Sequence, residues 1–288
     1  MSELTDVKMD VSPTRPQKER GMKKIFNLSL TFFVMLIFAF LIVPILVVFP
    51  MSFSNDATLK FPPSGFSLQW YEAFFQDPKW FIALRTSFLV AICSSVLSLI
   101  LGMFAAYGLS RSRFRGQKLI LANMMAPMII PQIITAVGLY LFFAKIGLVG
   151  TIPGLIIGHA ILSAPFVIMI MMLGISSVDL RVEQAARSLG ASWLTTFSQI
   201  ILPNIIPSVV SAWFFAFIVS FDELIVTIFL AGSHITAPKK MFDDLMIQIN
   251  PVITVVSTFL IIFTLGIVAL ALLILKKYKD RLGIGSES

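Results

Sequence analysis

Asp222 and Glu223 stand side by side in an apolar stretch, residues 205–231, that holds no other acid. A charged carboxylate at bilayer depth costs about 2.5–3.5 kcal/mol even on the lenient insertion scale, so it turns towards protein or a passage rather than lipid. The chemistry open to such a pair is the guidance of a cation. Neighbouring residues diverge by about 100° around a helix, so the two cannot point the same way. One is expected to face a pathway and the other to pair or to cap a local break. The alternative is that both stabilise an irregular helix by accepting backbone or Lys/Arg hydrogen bonds. Counted from Pro207, fifteen residues of helix carry the chain about 22 Å, which sets Asp222 in the outer half of a core roughly 30 Å thick.

The second group lies in DLRVEQAARSLGASWLTTFSQIILP, residues 179–203. Asp179 is a helix N-cap, and Glu183 to Leu189 form a short helix behind it. Glu183 and Arg187 stand at i and i+4 and are expected to pair. Ala185 and Ala186 give that helix a slim face. Gly190 suits the left-handed position that ends it, and Ser192 caps a second helix, which is expected to stop before Pro203. A loop of about 25 residues with this much helical order implies a docking element. Other chemistry is absent from the sequence. His159 and His234 have no Cys or His nearby, Cys93 is the single cysteine, and no GxxxxGK[ST] phosphate loop occurs. His159 sits in an apolar run, where helix packing is the expected role.

The elements that hold these groups are set by composition. Of 288 residues, 57% are hydrophobic and 13% charged, against about 25% charged in a soluble domain. Six stretches reach the ~20 apolar residues of a membrane span: Ile25–Pro50, Ala83–Ser110, Leu119–Phe143, Ile152–Ile175, Ile205–Ala231 and Val252–Leu275. The first is longer than the ~7–15 residues of a signal-peptide core and reads as a retained helix. The fold class is therefore all-α membrane protein, with a tail 1–24, a six-helix domain 25–275 and a tail 276–288. The polar composition of residues 1–22 predicts disorder.

Of the 22 Lys and Arg, the N-terminal tail carries six (Lys8, Arg15, Lys18, Arg20, Lys23, Lys24) and the loop after the second span four (Arg111, Arg113, Arg115, Lys118). Arg181 and Arg187 follow the fourth span, and Lys276, Lys277, Lys279 and Arg281 follow the sixth. The opposite side holds Lys60, Lys79, Arg85, Lys145, Lys239 and Lys240. By the positive-inside rule both termini are cytoplasmic, and loop 176–204 is cytoplasmic with them. The net charge of +7 is thus a topology signal, and no nucleic-acid partner is expected. The external loop 51–82 is rich in Phe, Trp and Tyr, which suits anchoring in the membrane interface. Gly150, Gly154 and Gly158 form GxxxG steps that permit close helix approach. Pro127 and Pro131 are expected to kink the third span.

Glu183, Ala185, Ala186, Gly190, Ile200, Leu202 and Pro203 match, at the same spacings, the EAA motif of binding-protein-dependent ABC importer permeases of the MetI-like superfamily. Gln184 stands where many relatives have Ala. The runs FPPSGFSLQWYEAFF (61–75), RTSFLVA (85–91) and SFDEL (220–224) resemble the second permease of spermidine/putrescine importers.

The resemblance implies a type I importer permease, N-in and C-in, in a bacterial inner membrane and without its own ATPase site. It further implies that Glu183, Ala185, Ala186, Arg187, Leu189, Gly190, Ala191 and Pro203 couple to an ABC ATPase dimer, that ATP and Mg sit on that partner, and that none is bound by this chain. A second homologous permease, as a heterodimer, and a periplasmic substrate-binding protein complete the implied assembly, with Asp222 and Glu223 on the substrate pathway. Related permeases handle aminoalkylphosphonates, opines or ferric iron, which stand beside a polyamine or another small cationic or zwitterionic solute as implied cargoes. The competing class is an ion-coupled secondary transporter. Such proteins often carry paired broken helices or internal repeats. No repeat is evident here, and the EAA loop has no role in that class.

Overall fold

The computed structural model describes residues 17–247 and 250–281. Most of the expected disordered tail, residues 1–16, and the last residues, 282–288, lie outside the described residues. The chain divides into two compact units, Met1–Pro50 and Met51–Ser288. The body of the first is α1 (Gln17–Ser52), which begins eight residues ahead of the expected span. From Phe26 to Leu46 every side chain of α1 is exposed, as an apolar helix surface meant for lipid requires.

In the second unit α3 (Pro78–Arg111), α6 (Ile152–Ser176) and α9 (Leu202–Phe221) pack on one another. Their contact is built from small residues. Ser87, Ala91, Ser94, Ser98, Gly102 and Ala106 recur every three or four positions along α3 and are buried. Where lipid is as apolar as leucine, such a stripe gains association by letting backbones approach. The GxxxG expectation has the same outcome on α6. A Cβ at Gly158 would stand 2.6 Å from a methyl of Leu230, and the N–H of Gly150 donates to the carbonyl of Leu230 at 2.8 Å. His159, 1% exposed, packs as expected and hydrogen-bonds as well. Its Nδ1 lies 2.9 Å from the Ser220 hydroxyl and its Nε2 3.0 Å from that of Thr227.

Two expected spans are broken. The third is not one kinked helix but α4 (Gln117–Ile129) and α5 (Gln132–Lys145), bent by 107°. Ile130 precedes Pro131 and is extended, φ −73° and ψ 134°, because the proline ring disfavours the helical conformation of the residue before it. Pro127 sits within α4 without ending it. The fifth span, expected as 205–231, divides into α9 and α10 (Ile225–Leu230) at Asp222–Leu224. Among the described residues, five helices are long and apolar enough to cross a membrane, and the bent pair makes a sixth candidate. The last of them, α12 (Val252–Arg281), runs past the expected tail boundary at residue 276.

The aromatic loop is shorter than expected, since Asp77 caps α3 by accepting the N–H of Lys79 at 2.9 Å. Part of it also folds inward. On α2 (Gln69–Gln76), Phe74 is buried with Trp80 against Val252, Val255 and Val256 of α12, whereas Phe66, Phe75 and Phe81 remain exposed as interface anchors would. Before α2, Asp56 accepts the backbone N–H of Ser64 and the Ser54 hydroxyl, bonds that hold its carboxyl below the usual carboxylate range.

Candidate functional site

The EAA segment folds as its residues dictate at most positions. Asp179 accepts the N–H of Arg181 at 2.9 Å and starts α7 (Leu180–Ser188). Gly190 takes φ +90°, and the N–H of Ala191 reaches back to the carbonyl of Ala186 at 3.1 Å, closing the helix end. Ser192 caps α8 (Trp193–Thr196) through the N–H of Thr195. The expected stop before Pro203 does not occur. A π-helical turn, Phe197–Ile201, joins α8 to α9, and Trp193–Phe221 is one candidate span. Pro203 lacks the N–H a regular ladder would use, and the wide turn just before it relieves that mismatch.

The expected Glu183–Arg187 pair is replaced by a longer-range one. Glu183 is 4% exposed and receives Nε of Arg111 at 2.6 Å and the Tyr107 hydroxyl at 3.2 Å. The Arg111 Nη2 also donates to the carbonyls of Ile175, at 3.0 Å, and Val178, at 2.8 Å. One guanidinium therefore ties the end of α3, the end of α6 and α7 together, and the negative end of the α6 dipole favours its charge. Trp193 and Phe197 stack on each other, Phe197 stacks on Phe104 of α3, and Tyr107 meets both rings edge-on. Arg187 faces out, as do Ala185 and Gly190, while Ala186, Ala191 and Pro203 are half-buried. Leu189 is 89% exposed, with Leu194, Val182 and Trp193 also exposed. The result is an apolar knob on a braced helix–turn–helix.

Asp222 and Glu223 diverge as adjacent residues must. Glu223 is buried, accepts the N–H of Val226 at 2.8 Å and so caps α10, and receives the side-chain amide of Gln132. Gln132 opens α5 directly after the Pro131 break. The two broken spans therefore meet at their breaks through Gln132 and Glu223. Asp222 is exposed and lines a cavity of about 270 Å³ with Phe217, Phe221, Met241, Phe263 and Thr264. Broken helices meeting in a membrane domain are where transporters commonly place substrate. The contributions of Arg111, Tyr107 and Gln132 were not read from the sequence, where Arg111 counted only as a loop charge. Its place directly after the expected end of the second span at Ser110 was the available signal.

Residues 98–281 match the family described as binding-protein-dependent transport system inner membrane component. The chain is 31% identical to the spermidine/putrescine transport system permease protein PotC of Haemophilus influenzae, over 85% of this chain and 95% of that protein. It is 32% identical to the putrescine transport system permease protein PotI of Escherichia coli K12, over 80% of this chain and 84% of that one. Among solved structures it resembles a chain of a bacterial ABC transporter that imports the acidic polysaccharide alginate, with TM-score 0.63 and 20% identity over 93% and 99% of the two chains. It also resembles a chain of the MetNI methionine ABC transporter, with TM-score 0.59 and 17% identity over 70% and 99%. At these identities the structural likeness speaks for the fold, and the sequence relatives carry the family. The secondary-transporter reading falls away on the family match and the sequence relatives, since broken helices are present here and do not separate the two classes. The chain belongs to the family of inner-membrane components of binding-protein-dependent transport systems, and is a permease subunit of an ABC importer.

Proposed function

We propose that this permease carries a polyamine of the spermidine/putrescine type, through a passage on which Asp222 is the acidic contact and Glu223 the structural one. The observation that carries the reading is the Asp222 carboxylate set in a cavity walled by Phe217, Phe221 and Phe263. A carboxylate among aromatic faces suits an alkyl ammonium, which gains charge pairing and cation–π attraction at once. The likeness to PotC and PotI supports the same cargo. Asp222→Asn keeps size and removes charge, and is expected to cut putrescine uptake at least tenfold in reconstituted complex with basal ATPase retained. Glu223→Gln keeps the Val226 cap and is expected to have a smaller effect. Unchanged uptake in the double variant would eliminate the acidic contact and return anionic or neutral cargoes.

ABC importer permeases work with an ATPase and a substrate-binding protein, and the finer assembly is part of this proposal. The braced knob at Leu189 docks in a groove of the ATPase, which holds ATP and Mg, and this chain pairs with a second, different permease. ATPase closure then moves α7 as one body with α3 and α6, rocking the cavity between outward and inward access. This requires both termini and the α7 knob to be cytoplasmic, as the loop charges support. In a Cys93→Ala background, a membrane-impermeant thiol reagent should label a cysteine at Lys60 in intact cells. It should reach cysteines at Arg115 and Arg187 only after the membrane is opened. The reverse pattern would invert the topology and remove the coupling role.

A further inference from the structure

On the face of the fold shared by the loops before α3 and before α12, a second cavity of about 450 Å³ is lined by Trp70, Asp77, Trp80, Lys240, Asp244 and Asn250. Its size falls in the range of small-ligand sites, roughly 300–1,000 Å³. Lys240 lies on α11 (Ala237–Ile247) and is 7% exposed. Its ammonium is 3.2 Å from the Asp77 carboxylate and 3.2 Å from that of Asp244, and stands 4.6 Å from the centre of the Trp80 ring. Two carboxylates and an indole face around one primary ammonium make a complete alkylammonium receptor. Two negative charges against one positive also leave the cluster with an excess negative charge, because the neighbouring Lys239 is matched by Asp243 at 3.5 Å.

We infer that this cavity is an entry site for a primary alkylammonium, in which the Lys240 side chain occupies the receptor until the terminal ammonium of a polyamine takes its place between Asp77 and Asp244. The inference rests on the polyamine reading above and deepens it. The excess charge draws a dication in, and a flexible four-carbon stem lets the lysine ammonium withdraw without backbone movement. The same helix connects the two cavities. Lys240 and Asp244 of α11 line the first, whereas Pro238 and Met241 of α11 line the second with Asp222. Both cavities therefore border the same helix. A buried lysine tied to two acids is otherwise a strut between α11 and the start of α3, and the two roles differ in what removal of the ammonium does.

The test uses the assembled transporter in lipid nanodiscs, without nucleotide or binding protein, and equilibrium binding of radiolabelled putrescine. Lys240→Met keeps the apolar stem over Trp80 and vacates the ammonium position, so binding should tighten at least tenfold over the parent. Lys240→Gln, whose neutral amide holds the carboxylates less tightly than an ammonium, should show a smaller gain in the same direction and serves if the Met variant does not assemble. Lys240→Arg returns a cation to the receptor and should restore parental affinity, and Asp77→Asn added to Lys240→Met should abolish the gain. Equal affinity in the parent and the neutral variants, or a gain that survives Asp77→Asn, would overturn the site and leave Lys240 a strut. The cargo and the site fail separately. A complex that gains Asp77-dependent binding yet does not take up putrescine keeps the site and loses the cargo, and one that takes up putrescine without the gain does the reverse.

Discussion

Replacing Arg111 with Met should release α7, the proposed coupling element, even though the substituted residue lies at the end of α3 and not in the EAA loop. Glu183 would then keep a buried carboxylate with only the Tyr107 hydroxyl against it, and the carbonyls of Ile175 and Val178 would lose the guanidinium as a donor. Removing one partner of a largely buried pair costs on the order of 3 kcal/mol, which is a large part of the stability of a domain. Thermal unfolding of the detergent-solubilised complex should fall, and ATP-driven uptake should fall further, because a loosened α7 no longer moves with α3 and α6. Glu183→Lys sets a second cation beside Arg111 and should be the most damaging single change. The double variant Arg111→Met with Glu183→Gln should be markedly less damaging than the two single effects added, the signature of a direct pair. The competing account has Glu183 offering its charge to the ATPase. In that case Glu183→Lys would weaken co-purification of the ATPase, Arg111→Met would be silent, and the two would add.

Gly190→Val should separate ATP hydrolysis from transport. Gly190 holds φ +90°, and a Cβ built there meets nothing within 4 Å, so the penalty is purely one of backbone conformation. For a β-branched residue in this region it is about 1–3 kcal/mol. The strain is relieved by unwinding the end of α7, which would move Leu189 and break the Ala191-to-Ala186 hydrogen bond. Insertion and yield should hold, since the site is remote from the packed helices, while putrescine uptake per ATP hydrolysed falls about tenfold, the ratio that 1.4 kcal/mol represents. Gly190→Asn is the control, because Asn tolerates the left-handed region. Equal coupling in the Val variant and the parent would show that the geometry of this turn plays no part in docking.

Much of this architecture is set by local rules that act within one helix or turn. Apolar runs near twenty residues specify spans wherever they occur, and the glycine at 190, the caps at Asp179 and Ser192 and the close approach at Gly158 follow from backbone sterics and side-chain size. Adjacent residues on a helix diverge, so the separate fates of Asp222 and Glu223 were legible too, though not which acid would take which. That was decided when the Pro131 break brought Gln132 against Glu223, a contact across 91 residues. The partner of Glu183 was decided the same way. The i,i+4 rule offered Arg187, worth a few tenths of a kcal/mol on an exposed helix. Packing of α7 against α3 offered Arg111 in a buried site, where a pair left unmade is far costlier. Lys240 was a topology charge in the sequence and became the centre of a buried ion cluster only when α11 folded against Asp77 and Trp80. Spacing along a chain fixes neighbours within a few residues. Which distant charges meet depends on how the helices pack, and burial then raises the energy at stake.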